Sequence, residues 1–130
     1  MSVPISYKAD AMPAWIGVDI GGTNLRGALL GPTGEILTGF RTKTANSDGT
    51  AVFQSRLKTE IIALINQAAA IGLKVQGVGL GIPGLIGSDG TIHTSVNLKV
   101  LEGVNPARNL SQELKLPVVA GNDANLIALG

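Results

Sequence analysis

The sequence predicts an α/β fold with a mixed sheet, and three observations carry that expectation. Three apolar runs separated by glycine turns fill residues 15–44, a single helical-period stripe follows, and further apolar runs then alternate with helical stretches. Residues 1–13 hold two prolines and little periodicity, so they read as a loose extension before one domain spanning 14–130.

"WIGVDI" (15–20) reads as a buried strand, Gly21-Gly22 as a turn and "LRGALL" (25–30) as a second strand. Gly31-Pro32-Thr33-Gly34 makes another turn, and "EILTGFRTKT" (35–44) gives a third strand, so the chain opens as an antiparallel meander. From Thr50, Phe53, Leu57, Ile61, Leu64, Ile65, Ala68 and Ile71 recur at three- and four-residue steps, the stripe of an amphipathic helix ended by Gly72. "VQGVGLGI" (75–82) is a strand stopped by Pro83-Gly84, and Asp89-Gly90 marks a tight turn inside a small hairpin. Asn105 is placed to cap a helix with Pro106 at its first position and Ala107, Leu110 and Leu114 on its apolar face. Pro117 forces the exit, "VVA" (118–120) is a short strand, and "DANLIALG" opens a last helix.

Composition narrows the function classes. A chain of 130 residues can bury roughly two-thirds of its unfolded surface. Ten Lys+Arg against nine Asp+Glu leave a formal charge of +1 with no basic cluster, which argues against a nucleic-acid partner. No cysteine is present, so disulfides and thiolate chemistry are excluded and a reducing compartment suits the chain. No apolar run approaches the ~18 residues of a membrane span, and no leader pattern opens the sequence, so the expectation is a cytoplasmic protein without a membrane partner. Eighteen glycines, about twice the usual ~7% share, sit beside apolar runs and suggest close backbone approach to a ligand.

Two glycine motifs compete for a phosphate. "GLGIPG" (79–84) matches G-x-G-x-x-G, but a dinucleotide fingerprint must open a helix, and Pro83 followed by "LIGSDGT" does not. "DIGGTNLR" (19–26) joins strand to strand: Gly21 and Gly22 permit positive φ and remove side chains, so consecutive N–H groups and the Thr23 hydroxyl can face one anion. Asp19 ends a run patterned for burial, where a lone carboxylate costs several kcal/mol unless compensated. Either it faces a phosphate-bound, partly hydrated Mg²⁺, or it only accepts turn N–H bonds. Asp123 likewise either caps the last helix together with Asn122 or stands at a strand's carboxyl end, where open α/β sheets bind ligands. If the strands holding Asp19, Gly84 and Asp123 are parallel neighbours, the three converge on one rim. His93 lacks metal-site partners and reads as structural, and Trp15 and Phe53 read as core.

"GVDIGGTNLRGALL", "GVGLGIPGLIGSDGTIH", Asn97-Leu98 and "PVVAGNDANLIALG" together, from about Trp15 to Gly130, resemble the N-terminal half of ROK-family sugar kinases of the bacterial glucokinase type. The resemblance implies a ribonuclease-H-like, actin-like ATPase N-terminal lobe, with sugar and Mg-ATP meeting in a cleft between two lobes. It implies that Asp19, Gly21, Gly22, Thr23, Asn24 and Arg26 form the first phosphate loop, with Asp19 reaching Mg²⁺ through water. Gly84, Asn97 and Asn122 then line the hexose or N-acetylhexosamine, and Asp123 is the base that accepts the sugar hydroxyl proton as it attacks the γ-phosphate. Family members run to roughly twice this length; the missing lobe would hold the adenosine pocket and, in many members, a zinc site. The expectation is therefore a kinase lobe inactive on its own. A sugar-sensing regulator of the same family, or a sugar-binding module without catalysis, is the alternative. The apolar faces of residues 50–72 and of the last helix offer a surface for a homodimer.

Overall fold

The computed structural model describes residues 11–44, 49–82, 85–86, 91–94 and 103–121. The elements are β1 (Met12–Ile20), β2 (Asn24–Leu30), β3 (Ile36–Lys43), α1 (Thr50–Ala70), β4 (Leu73–Gly81), β5 (Leu85–Ile86), β6 (Ile92–Thr94), α2 (Pro106–Leu114) and β7 (Val118–Gly121). Five strands form a sheet in the order β3-β2-β1-β4-β7, and β5 and β6 form a separate antiparallel pair. The meander β1-β2-β3 is antiparallel, whereas β1, β4 and β7 run parallel, so the predicted mixed sheet is present. β1 starts at Met12, two residues before the expected domain start, because Met12, Pro13 and Ala14 pair with Leu73, Lys74 and Val75 of β4. The remainder of the expected extension, 1–10, and the expected last helix lie outside the described residues.

One face of the sheet carries the core. Ala14, Ile16, Val18 and Ile20 alternate along β1 and are no more than 1% exposed, and Leu25 and Leu29 of β2 stand on the same face. Phe53, Leu57, Ile61, Leu64 and Ala68 of α1 pack onto them, with Ala107 and Leu110 of α2 completing the cluster. The helix stripe is thus covered by the chain's own sheet. That is a correction: the face of residues 50–72 has no apolar stripe to offer a second copy. Ile71, counted on the stripe, is 60% exposed because the helix has already ended at Ala70 and Gly72 turns the chain with φ 81°. Lys58 of α1 and Glu113 of α2 meet at 3.3 Å at the surface, a pair worth under about 1 kcal/mol.

Local chemistry behaves as the sequence predicts at α2. The Asn105 Oδ1 accepts the Arg108 N–H at 3.0 Å, and Pro106 occupies the first turn, where its missing N–H costs nothing. Lys115 then adopts a left-handed conformation, φ 57°, and its N–H donates to the Ser111 carbonyl at 2.9 Å, which turns the chain toward Pro117 and β7. After β4 comes the strand β5 and no helix, so "GLGIPG" does not build a dinucleotide fingerprint. The Asp89-Gly90 turn of the β5-β6 hairpin lies outside the described residues.

Candidate functional site

Pairing of β1 with β4 and of β4 with β7 sets Asp19 opposite Gly81 and Gly81 opposite Gly121. The carboxyl ends of three parallel strands therefore reach one rim, the position at which open α/β sheets bind ligands. The β1-β2 turn and the end of β3 lie at the same edge, because Asn24 pairs with Lys43. Gly84, Asn97, Asn122 and Asp123 lie outside the described residues; β4 ends at Gly81 and β7 at Gly121, three and two positions before Gly84 and Asp123.

Asp19 is exposed, although Val18 and Ile20 on either side of it are 0% exposed. The expectation of a buried carboxylate fails because β1 shows only alternate residues to the helices, and Asp19 belongs to the opposite face. Among the described residues its carboxylate accepts no hydrogen bond and makes no ion pair, so the turn-capping role has no support in the geometry. Arg26 stands opposite Asp19 on β2, and Arg41 stands opposite Arg26 on β3; all three are exposed on that same face. Arg41 and Lys43 were not singled out in the sequence, since only strand pairing brings them beside Arg26 and Asn24.

The turn between β1 and β2 is held from outside. The Gly21 N–H donates to the Asn24 carbonyl at 2.9 Å, closing the hairpin. The Gly21 carbonyl accepts the Thr44 hydroxyl at 2.6 Å, and the Thr23 carbonyl accepts the Thr44 N–H at 2.9 Å. Thr44 is 0% exposed and lies just after β3. Neither Gly21 nor Gly22 uses positive φ, which corrects the expected reason for the glycines. At Gly21 the requirement is space: a Cβ there would lie 3.1 Å from the Asn24 carbonyl oxygen. Among the described residues the N–H groups of Gly22 and Thr23, and the exposed Thr23 side chain's hydroxyl, have no protein partner.

Two adjacent amides, a hydroxyl, a guanidinium on the neighbouring strand and an exposed carboxylate make a donor-rich edge beside one anionic group. Such a set suits a phosphate whose charge is shared with a hydrated cation. Among the described residues no three His, Cys, Asp or Glu side chains gather as a metal cage. A lone exposed carboxylate fits Mg²⁺, which keeps several waters and takes one or two carboxylates together with substrate phosphates.

Comparison with known proteins gives a consistent result. The family model described as "ROK family" matches residues 15–130. A glucokinase of Halalkalibacterium halodurans is 35% identical over 118 residues, covering 89% of this chain and 35% of the relative. An N-acetyl-D-glucosamine kinase of Haemophilus influenzae is 34% identical over 115 residues, covering 88% and 36%. The chain thus spans about a third of the length of the curated relatives it matches, which corrects the expectation of family members roughly twice as long. A ROK family glucokinase from Streptomyces griseus, solved with glucose and AMPPNP, superposes with a TM-score of 0.70 at 27% identity, covering 86% of this chain and 34% of that one. A ROK family transcriptional regulator, a homologue of the E. coli MLC protein, superposes with a TM-score of 0.71 at 21% identity over 85% of this chain and 28% of its own, a likeness of fold alone.

Proposed function

The chain belongs to the ROK family, and from that premise we propose that it forms the phosphate- and sugar-binding lobe of an ATP-dependent hexose or N-acetylhexosamine kinase. The ROK kinases among its structural neighbours have the actin-like ATPase fold, with the mixed sheet and flanking helices described above. The observation that carries the reading is the rim itself: in-register parallel strand ends beside a turn whose Gly22 and Thr23 amides have no protein partner among the described residues.

In this reading the Gly22 and Thr23 N–H groups, the Thr23 hydroxyl and the Arg26 guanidinium hold the donor's phosphate oxygens, while Gly21 and Asn24 close the turn. Phosphoryl transfer asks a protein chiefly for positioning and charge neutralisation, which these groups supply. Asp19 would hold a hydrated Mg²⁺, which when bound would neutralise charge on the phosphates. Gly84, Asn97 and Asn122 orient the sugar. The Asp123 carboxylate accepts the proton of the attacking sugar hydroxyl. ATP as donor assigns the reaction to the cytoplasm. A sugar-sensing regulator gives no role to uncommitted amides beside an exposed Asp19, so the kinase reading accounts for more of the site.

The test is Asp123→Asn in a kinase of the relatives' full length that carries this segment. The base is lost and the shape kept, so kcat should fall by ~10²–10⁴ with sugar affinity unchanged. A variant keeping most of its kcat removes Asp123 from the role.

A further inference from the structure

A trans peptide group is planar, with its C=O and N–H on opposite edges. The described chain has no cis peptide bonds. Fixing the Gly21 carbonyl therefore fixes the direction of the Gly22 N–H. The group that fixes it is the Thr44 hydroxyl, at 2.6 Å, and Thr44 also grips the far side of the turn by donating its own N–H to the Thr23 carbonyl. The carbonyls of the two residues on either side of Gly22, Gly21 and Thr23, are thus held by one residue that is 0% exposed.

We propose that Thr44 is the positioning residue of the phosphate turn, locking the Gly21–Gly22 peptide plane so that the Gly22 N–H is presented to the phosphate. The inference rests on the reading of this turn as a phosphate site, and it adds a residue that lies 23 positions along the chain from Gly21. Three features of the geometry support it. The Thr44 hydroxyl and the Thr44 N–H serve different carbonyls, so the bond to Gly21 can be removed while the backbone bond to Thr23 is kept. The Gly21 N–H is already committed to the Asn24 carbonyl, so the hairpin closure does not depend on Thr44. The Asn24 N–H makes no bond to the Gly21 carbonyl, so among the described residues the Thr44 hydroxyl is the donor to that oxygen. Without it the peptide is free to rotate and offer its carbonyl, a repulsive dipole, to the anion.

The experiment compares the 130-residue chain with Thr44→Val and Thr44→Ser, titrated with magnesium pyrophosphate and followed by the Gly22 and Thr23 amide resonances and by calorimetry. Valine keeps the branched shape and the backbone N–H; serine restores the hydroxyl. Thr44→Val should bind about tenfold more weakly and lose the Gly22 amide shift, as expected for one misdirected charge-assisted hydrogen bond. Its resonances in β4 and α2 should stay at wild-type positions, and Thr44→Ser should recover both the affinity and the shift. A merely structural hydroxyl would lower the melting temperature of Thr44→Val while leaving its affinity and Gly22 shift intact, and that result overturns the proposal. If valine prevents folding, Thr44→Ser against Thr44→Cys makes the same comparison, since the thiol is a poor donor of similar size; equal affinities overturn the proposal. Failure of the phosphate reading is distinguishable, because the wild-type chain would then show no shift at Gly22 or Thr23.

Discussion

The meander contains two tight glycine turns, and they solve the same problem in opposite ways. Between β2 and β3, the Gly34 N–H donates to the Gly31 carbonyl at 2.9 Å, and the Gly31 N–H to the Glu35 carbonyl at 2.8 Å. The Glu35 carboxylate accepts both the Thr33 N–H, at 3.0 Å, and the Thr33 hydroxyl, at 2.6 Å. This turn satisfies itself. The turn between β1 and β2 instead has the Gly21 and Thr23 carbonyls taken by a residue just beyond β3, while the amides of Gly22 and Thr23 are left over among the described residues. Glycine content does not separate the two turns. What separates them is which backbone groups remain without a partner once the sheet has formed, and backbone groups so left are normally matched by something.

The carboxylates of the two turns give the widest contrast. Asp19→Asn should weaken magnesium pyrophosphate binding to the chain by about tenfold, the scale of one charge-assisted contact. Glu35→Gln should leave that affinity unchanged. Equal effects in calorimetric titrations would erase the distinction between a binding turn and a self-satisfied one. The glycines sharpen it next. Gly34 has φ 86° with open space around its missing Cβ, so Gly34→Ala should cost about 1 kcal/mol in urea unfolding, purely from backbone strain, with no loss of affinity. Gly21→Ala introduces no positive-φ strain but presses on the Asn24 carbonyl, so it should act on affinity more than on stability.

The smallest effect concerns pH. The Thr33 hydroxyl, first, and backbone N–H groups hold the Glu35 carboxyl below its ordinary range. A lowered folded-state value means the contribution is present above the unfolded value and is lost as pH falls through the folded one. Melting temperature measured across that acid window should therefore fall slightly less steeply in Thr33→Val than in the wild type. Identical slopes would show that the hydroxyl leaves the carboxylate untouched.

Much of the architecture was legible because local chemistry fixed it. The Asn105-Pro106 start of α2, the Gly72 exit of α1 and the period-two strands all follow from residue types that act within a few positions. The likeness to ROK kinases was legible for a related reason, since its ordered motifs survive as strings. Thr44 was not legible: in "EILTGFRTKT" it is one of three threonines in a strand, and its partners lie more than twenty positions away. Asp19 was misread as buried for a similar reason, because a continuous apolar run does not say which alternate residues meet a helix. Gly27 is not legible either: a Cβ there would clash with the edge of the Phe40 ring on the adjoining strand, a contact that exists only once β2 and β3 pair.

By itself, then, the sequence determined the described elements from β1 to β7 and their order, the Asn105 cap and Gly72 exit of the helices, and the candidate turn. Tertiary structure alone decided that β1, β4 and β7 run parallel and in register to one rim, that Asp19 faces away from the helices, and that Thr44 reaches under the turn. The division is physical: capping, turn and periodicity signals act over a few residues, whereas strand register and the fate of each backbone amide depend on partners that only folding brings into reach.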